Sequence, residues 1–159
     1  MKVLSLFDGI SCGLVALKIL GIEVSEYHAF EIEPNAIKIS MKNHPEVIRH
    51  GNVLEADFSE FAGFDLLLGG SPCQDLSIAK SYDRQGLNGK KSSLFWSYVN
   101  ALNTVKPKYF LFENVGSMKD SDKAIITDAL GVEPIMINSS MFLPQNRERY
   151  YWTNIPVKL

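Results

Sequence analysis

The residue whose surroundings point most directly to chemistry is Cys73. It follows an apolar run, residues 64–68, and a sharp turn, residues 69–72 (Gly-Gly-Ser-Pro). Such a run is typical of a buried parallel strand, and in an open α/β sheet ligands bind just beyond the carboxyl ends of the strands. A free cysteine is more often a small buried hydrophobe. Here the two glycines and the proline indicate a strained turn, so the sequence predicts a thiol aimed into a crevice.

A glycine-containing turn in residues 7–13 (Phe-Asp-Gly-Ile-Ser-Cys-Gly) is a second candidate site. Glycines let the backbone approach a ligand closely, and free amides at a helix start favour an anionic group. Glu31 ends the next predicted strand, about 20 residues further on, where an acid can accept hydrogen bonds from ribose hydroxyls. A purely structural turn would also use glycine. With Glu31 in register we expect an adenosine-containing cofactor, and because the spacing is not Gly-x-Gly-x-x-Gly we favour a methyl donor over a nicotinamide.

Two further groups of polar residues adjoin predicted strands. Glu113 comes directly after the apolar residues 109–112. A partly desolvated carboxyl there can hold or donate a proton near neutral pH, although a helix cap or a solvated acid explains it equally simply. Gln145, Arg147 and Arg149 alternate, so a period of two directs both arginines to one face of a strand. Exposed strand-edge charge explains this pattern, and so does forked recognition of an anion or carbonyl.

Alternating apolar β-rich runs and helical runs must position these residues. Repeated strand–helix–strand units predict an α/β fold with a doubly wound, mostly parallel, seven-stranded sheet. One long irregular stretch, residues 74–92, exceeds normal loop lengths and is a candidate active-site lid. The predicted strands are residues 3–7, 27–31, 47–50, 64–68, 109–112, 134–138 and 149–153, and the predicted helices are residues 13–20, 35–43, 94–105 and 125–130.

Length and composition restrict the class of protein. A chain of 159 residues with 46% apolar content can build one substantial core, so we expect a single domain over residues 1–159. Two distant cysteines, and no leader or apolar stretch of membrane length, favour a reducing, cytoplasmic setting. His28, His44 and His50 lack ligand spacing, so no metal site is expected. A net charge of −2 argues against a free-standing nucleic-acid binder, so any such affinity must be local.

Four motifs occur together in the order and approximate spacing of one enzyme family. They are the turn in residues 7–13, the segment 70–74 (Gly-Ser-Pro-Cys-Gln), the triplet 113–115 (Glu-Asn-Val) and the pattern Gln145-x-Arg147-x-Arg149. Over nearly its whole length the chain resembles the cytosine carbon-5 DNA methyltransferases. Residues 71–78 and 149–154 look most similar to the mammalian de novo branch and its phage-borne relatives. The resemblance implies a Rossmann-like fold that uses S-adenosylmethionine, with DNA as the partner.

The resemblance also implies a role for each candidate catalytic residue. Cys73 would attack carbon 6 of a cytosine turned out of the duplex, because a ring carbon is a poor methyl acceptor until a nucleophile adds beside it. Glu113 would hold that base through ring nitrogen 3 and the amino group. Arg149, and with it Arg147, would contact the base carbonyl and a nearby phosphate and stabilise charge as it develops. The methyl group would pass to carbon 5, after which the ring proton and Cys73 leave.

The same resemblance indicates which residues bind the cofactor. Glu31 would hold the ribose, and Ile32 would pack on the adenine. Where the family usually has Gly-Asp reaching the adenine amino group, this chain has Gly51 and Asn52. The asparagine carbonyl can accept that hydrogen bond without charge, so we expect lower cofactor affinity. The other predicted cofactor-binding residues are Phe7, Asp8, Gly9, Ser11, Cys12 and Gly13 in the first turn, and Pro72 beside the nucleophile.

The chain ends at Leu159, directly after the last predicted strand. Members of the family normally continue with a target-recognition region and a closing segment. We therefore expect both to be absent here, and a second polypeptide or a second copy of the chain to complete the cofactor pocket and the DNA cleft. Two alternatives stay open: a few relatives with this core methylate cytosine in transfer RNA, and degenerate relatives are non-catalytic partners of a complete enzyme. The intact Cys73 and Glu113 argue against the second.

Overall fold

The computed structural model describes residues 1–71 and 94–157, which contain a seven-stranded sheet with helices packed on both faces. Within these ranges, short 3-10 helices at Val53–Glu55, Phe58–Phe61 and Ser139–Met141 lie in the connections. In chain order, the strands and α-helices are β1 (Lys2–Leu6), α1 (Cys12–Ile19), β2 (Glu26–Phe30), α2 (Pro34–Asn43), β3 (Ile48–His50), β4 (Leu66–Gly69), α3 (Leu94–Val105), β5 (Tyr109–Val115), α4 (Asp120–Leu130), β6 (Ile135–Asn138) and β7 (Glu148–Thr153).

The sheet has the strand order β3-β2-β1-β4-β5-β7-β6. Neighbouring strands from β3 through β5 are parallel, whereas β7 is antiparallel to both β5 and β6. The predicted doubly wound, mostly parallel sheet is therefore confirmed. The chain winds outward in one direction from β1 to β3 and in the other direction from β4. The switch point thus lies between β1 and β4, which is where open α/β sheets bind ligands.

Two elements extend beyond their sequence-based bounds by three residues or more, each for a physical reason. β5 continues to Val115 rather than ending at Phe112, because β4 ends opposite Phe112 while β7 pairs with residues 113–115. Helix α4 begins at Asp120 rather than at residue 125. Asp120 and Asp122 in its first turn interact favourably with the helix dipole, and this turn carries no apolar periodicity that would reveal it in the sequence.

Alternate residues of β1 enter two separate cores, one on each face of the sheet. Val3 packs with Leu14 and Leu17 of α1 in the smaller cluster. Leu4 belongs to the larger cluster, which α3 and α4 cover with side chains such as Phe95. Burying one such side chain contributes ~2 kcal/mol before the cost of ordering the chain is subtracted. The two cores hold β1 rigidly, and with it the start of the turn that follows.

Several predicted features lie outside the described residues. These are the candidate lid, residues 74–92, together with Pro72 and Cys73. Among the residues that the structure describes, no helix is both long and apolar enough to cross a membrane.

Candidate cofactor pocket and active site

The turn after β1 has two non-glycine residues in the left-handed region. Phe7 has a φ of 57° and Ser11 a φ of 66°, and Gly9 between them has a φ of 61°. Such a conformation costs a non-glycine residue on the order of 1–3 kcal/mol, so the surrounding structure must hold the turn. One hydrogen bond that does so runs from the Asp8 N–H to the carbonyl of Phe30 in β2, at 3.1 Å. The turn is thus tied to the strand that precedes Glu31.

The side chain of Asp8 accepts hydrogen bonds from three hydroxyl groups. Ser5 Oγ and Tyr27 Oη donate to Oδ1 at 2.7 and 2.6 Å, and Ser11 Oγ donates to Oδ2 at 2.5 Å. Burial, together with the charge of Asp8, raises the pKa of Tyr27 well above its ordinary value of 10.0, so the phenol stays a donor. Asp8 therefore stabilises the turn from inside the fold. Its predicted contact with the cofactor stays a prediction.

Glu31 follows β2 directly, and three backbone amides hold its carboxylate. The N–H of Gly9 donates to Oε2 at 2.7 Å, and the N–H groups of Ile32 and Glu33 donate to Oε1, each at 2.9 Å. A carboxylate has about four lone-pair sites, so acceptor capacity remains for a ribose hydroxyl. The structure thus brings Glu31 into direct contact with the first turn.

A cavity of about 290 Å³ opens beside this carboxylate. Its walls are largely apolar, and the polar side chains that the described residues contribute to it are the Glu31 carboxylate and the Asn52 amide. An adenosine group combines a flat apolar base that has polar edges with a ribose that has adjacent hydroxyls, so these side chains fit it. The predicted residues Phe7, Glu31, Ile32 and Asn52 line the cavity together with Phe30 and Val53, which sequence reasoning missed although they flank two of the predicted residues.

Asn52 both lines this cavity and caps a short helix. Its Oδ1 accepts a hydrogen bond from the Leu54 N–H at 3.0 Å, at the N-terminus of Val53–Glu55. A carbonyl oxygen has two lone pairs, so this atom can accept a second hydrogen bond from an adenine amino group. Asparagine supplies the acceptor without the negative charge of an aspartate, and the interaction is weaker for that reason.

The end of β4 lies against Glu113 in β5. A Cβ atom built at Gly70 would lie 2.9 Å from Glu113 Oε2, so a side chain here would displace the carboxylate. Asn114 connects the same two segments, since its Nδ2 donates to the Ser71 carbonyl at 3.3 Å while the residue is 2% exposed. Sequence reasoning assigned no role to Asn114, although its place directly after Glu113 is a signal that could have found it. Both contacts hold the start of the segment that leads to Cys73.

Glu113 forms an ion pair with Arg149 across the antiparallel strands β5 and β7. Arg149 Nε lies 2.7 Å from Glu113 Oε1, and Arg149 Nη1 donates to the Glu148 carbonyl at 2.7 Å. The Arg149 and Glu113 side chains are 19% and 34% exposed, so solvent screens the pair only in part. Tyr151 lies opposite Glu113 in the register, and burial together with the Glu113 charge raises the pKa of its phenol. Two predicted catalytic residues are therefore adjacent and orient each other.

Arg147 lies just before β7 and is exposed. Its backbone N–H donates to Asn138 Oδ1 at 3.1 Å, and its carbonyl accepts from the Ser139 N–H at 3.1 Å. Arg147, Arg149 and Gln145 border a polar groove of about 420 Å³. The two arginines of the predicted pattern thus have different surroundings, because Arg149 forms an ion pair with Glu113 whereas Arg147 is an exposed residue that lines the groove.

The remaining predicted residues have other surroundings. Cys12 is the exposed first residue of α1. Gly13 allows this helix to approach the sheet, since a Cβ atom there would lie 2.6 Å from Leu68 Cδ1. Neither residue lines the cavity beside Glu31, and their predicted contact with the cofactor stays a prediction.

Fold and site together define an α/β protein in which a nucleoside-sized cavity at the switch point of the sheet adjoins a carboxylate–guanidinium pair. The family model for C-5 cytosine-specific DNA methylase matches residues 1–158. The chain therefore belongs to the C-5 cytosine-specific DNA methylase family, as the four sequence motifs predict.

Proteins of similar sequence are methyltransferases. The chain is 36% identical over 163 residues to the orphan methyltransferase M.Rho11sI of Bacillus phage rho11s. This alignment covers 95% of this chain and 32% of that protein. The chain is also 33% identical over 140 residues to the Type II methyltransferase M.NgoBV of Neisseria gonorrhoeae. That alignment covers 77% of this chain and 33% of the relative. The chain thus spans about a third of the length of these curated relatives.

A solved structure shares the fold. The Dnmt2 methyltransferase of S. pombe matches with a TM-score of 0.70 at 22% sequence identity, over 100% of this chain and 51% of that one. The predicted Rossmann-like methyltransferase fold is confirmed by this likeness.

Proposed function

We propose that the protein transfers a methyl group from S-adenosylmethionine to carbon 5 of cytosine in DNA, with residues 1–159 as the catalytic domain. The observation that carries this proposal is the Glu113–Arg149 ion pair. Arg149 contacts one carboxylate oxygen of Glu113, and the other oxygen lies beside Gly70. In the sequence, Cys73 follows Gly70 within the same short motif. The polar edge of cytosine offers an amino group that needs an acceptor and a carbonyl that needs a donor, and the ion pair supplies both.

The proposed reaction begins with the thiolate of Cys73, which adds to carbon 6 of the ring and so makes carbon 5 nucleophilic. When bound, S-adenosylmethionine supplies an electrophilic methyl group on a sulfonium sulfur. Glu113 accepts a hydrogen bond from the amino group of the base, and it holds ring nitrogen 3, which is itself an acceptor, through a proton that the two atoms share. Arg149 donates to the base carbonyl, where negative charge develops, through an N–H group that Glu113 leaves available. Loss of the carbon 5 proton to a base then expels the Cys73 thiolate and restores the aromatic ring.

The cavity beside Glu31 is the proposed site of the adenosine group. Glu31 accepts from the ribose, Ile32 packs on the adenine, and Asn52 accepts from the adenine amino group. A hydrogen bond to a charged group is worth roughly 1.5–3 kcal/mol, so Glu31→Ala should weaken S-adenosylmethionine binding roughly tenfold to a hundredfold. Calorimetry tests this, with Glu33→Gln as the control because Glu33 is the neighbouring acid that caps α2. Unchanged affinity in folded Glu31→Ala would place the pocket elsewhere.

The proposed partners are DNA and a second protein surface. Helix α1 exposes the apolar side chains of Val15 and Ile19, and Leu20 beyond its end is also exposed. Clustered exposed apolar side chains are typical of a surface that binds protein. We infer that a second polypeptide or a second copy of the chain covers them and completes the DNA cleft. We also place the protein in the cytoplasm, where a catalytic thiol stays reduced.

The direct test is transfer of a labelled methyl group from S-adenosylmethionine to duplex DNA and to transfer RNA, followed by digestion to nucleosides. The proposal expects 5-methylcytosine in DNA, with a rate that rises more than linearly with protein concentration or on addition of a partner. Extruding the base costs roughly a few kcal/mol, which contacts on both sides of the duplex can supply. Product in RNA alone would replace DNA by RNA as the substrate. Cofactor binding without any product would favour a non-catalytic protein.

A further inference from the structure

Helix α2 buries one of its residues, and that residue is polar. Ser40 is 2% exposed, whereas the rest of the helix is exposed or half-buried. Its Oγ lies 2.6 Å from Ser11 Oγ in the first turn and accepts a hydrogen bond from Arg49 Nη2 at 2.8 Å. Burying a hydroxyl is unfavourable unless it is hydrogen-bonded, so these contacts account for a polar residue at this position.

The hydrogen bonds around Ser40 run in one direction. Arg49 can only donate, and at the other end Ser11 Oγ donates its single proton to Asp8 Oδ2 at 2.5 Å. Ser40 must therefore donate to Ser11 while it accepts from Arg49. The guanidinium of β3 is thus connected to a carboxylate of the first turn through two hydroxyls. We name Arg49, Ser40, Ser11 and Asp8 the serine bridge. Hydrogen bonds aligned in this way polarise and strengthen one another.

The serine bridge acts on the turn that borders the proposed cofactor cavity. Asp8 lies between Phe7, which lines that cavity, and Gly9, whose N–H donates to Glu31 Oε2 at 2.7 Å. Ser11 is itself one of the two non-glycine residues of this turn that have a left-handed backbone, with a φ of 66°. Because the turn is locally strained, contacts from outside it decide how well it keeps its conformation.

We propose that Ser40 and Arg49 are positioning residues for S-adenosylmethionine binding, which hold the first turn so that Gly9 presents its amide to Glu31. The identity of the ligand rests on the proposed function. Arg49 also donates to the carbonyls of Val47 and His44, at 2.9 and 2.8 Å, and so holds the end of α2. Ser40 is the better residue to change, because its hydroxyl can be removed without loss of those two bonds.

Two measurements on Ser40→Ala test the proposal. The first is hydrogen exchange of the Gly9 amide in protein without ligand, since the bond to Glu31 protects this amide. The second is the Kd for S-adenosylmethionine by calorimetry. We expect faster exchange at Gly9 and binding weaker by roughly threefold to tenfold, the effect of about one hydrogen bond. Ser40→Thr keeps the hydroxyl and should restore both values.

Thr127→Val is the matched control. Thr127 Oγ1 accepts a hydrogen bond from Nε1 of the buried Trp152 at 3.0 Å, so this change also removes a hydroxyl that binds a buried side chain. Thr127 lies in α4, however, and not beside the first turn. The substitution should lower the Tm and leave both the Gly9 exchange rate and the Kd unchanged. An equally large effect of Thr127→Val on the two measurements would overturn the proposal, as would unchanged Gly9 exchange in folded Ser40→Ala.

A second variant covers the case in which Ser40→Ala does not fold. Arg49→Lys keeps the positive charge but loses the forked geometry of the guanidinium donors. It should also speed hydrogen exchange of the Gly9 amide. Unchanged exchange at Gly9 in this variant would overturn the proposal. Wild-type protein that fails to bind S-adenosylmethionine would contradict the proposed function. The Gly9 exchange rate would still decide whether Ser40 positions the turn.

Discussion

Arg149 Nε lies 2.7 Å from Glu113 Oε1, while the other oxygen of the same carboxylate lies beside Gly70 at the end of β4. In the register Arg149 pairs with Val115, so the contact with Glu113 crosses the two antiparallel strands diagonally. One carboxylate oxygen is thereby engaged by Arg149, and the other is turned toward the segment that leads to Cys73. Charged groups held on two strands are pre-organised, which is what stabilisation of a developing charge requires.

Removal of this guanidinium should slow the chemical step. We predict that Arg149→Ala lowers the single-turnover rate of methyl transfer by roughly 10²-fold, the effect typical of losing one pre-organised donor. Arg149→Lys should recover only part of the rate, because lysine keeps the charge but not the forked geometry. The Kd for S-adenosylmethionine should not change, since Arg149 borders the polar groove and not the cavity beside Glu31.

Arg147→Ala is the control for that prediction. Arg147 is exposed, so its loss should weaken DNA binding for all sequences alike and reduce the salt dependence of binding by about one phosphate contact. The rate within the bound complex should stay the same. Equal losses of single-turnover rate in the Arg147 and Arg149 variants would contradict the role given to the Glu113–Arg149 pair.

A single substitution should improve cofactor binding. Asn52→Asp places a charged acceptor where the adenine amino group is expected, and a charge-assisted hydrogen bond is roughly twice as strong as a neutral one. Aspartate also caps the helix Val53–Glu55 as well as asparagine does. Because the Glu31 charge in the same cavity opposes part of this gain, we expect the Kd to fall by roughly threefold. Calorimetry checks this, and a Kd for Asn52→Asp as high as that for Asn52→Ala would refute it.

Stability should decline as the pH falls below 6.5, the ordinary pKa of histidine, because of His50. Burial is the largest effect on His50, and it lowers the pKa of the imidazole. The neighbouring His28 lowers this pKa further, since its Nδ1 lies 2.9 Å from His50 Nε2. The charge of Glu60 raises the pKa by a smaller amount. The unfolded chain then binds a proton more readily than the folded protein, so the free energy of unfolding drops from pH 6.5 downward. Glu26 and Glu46, whose pKa values are held below 4.5 by hydrogen bonds to basic side chains, act in the same direction only at lower pH.

Urea unfolding at about pH 7.5 and about pH 5.5 measures this dependence. His50→Phe is the matched variant, because a phenyl ring preserves the stacking on Phe30, where the ring centroids are 4.8 Å apart, but does not titrate. The variant should lose less stability than the wild type between the two pH values. The same loss in both proteins would show that His50 is not the group responsible.

Features that depend on local pattern could be predicted from the sequence. The apolar strands are examples, and so is the position of Glu31 directly after β2, which follows from its spacing from the first turn. The insertion of β7 between β5 and β6 could not be predicted, because it depends on pairing between distant segments. The serine bridge is equally non-local, since Ser11 and Ser40 are 29 residues apart and Ser40 looks like any polar residue of a surface helix.

Cys73 is central to the proposed reaction, and trapping of its covalent adduct is the most direct test. Fluorine at carbon 5 cannot leave as the proton does, so DNA that contains 5-fluorocytosine should capture the protein as a stable adduct when S-adenosylmethionine is present. Mass spectrometry should locate the adduct at Cys73, Cys73→Ser should form none, and Cys12→Ser should form it as the wild type does. An adduct that survives Cys73→Ser, or one located at Cys12, would contradict the proposed role of Cys73 as the nucleophile.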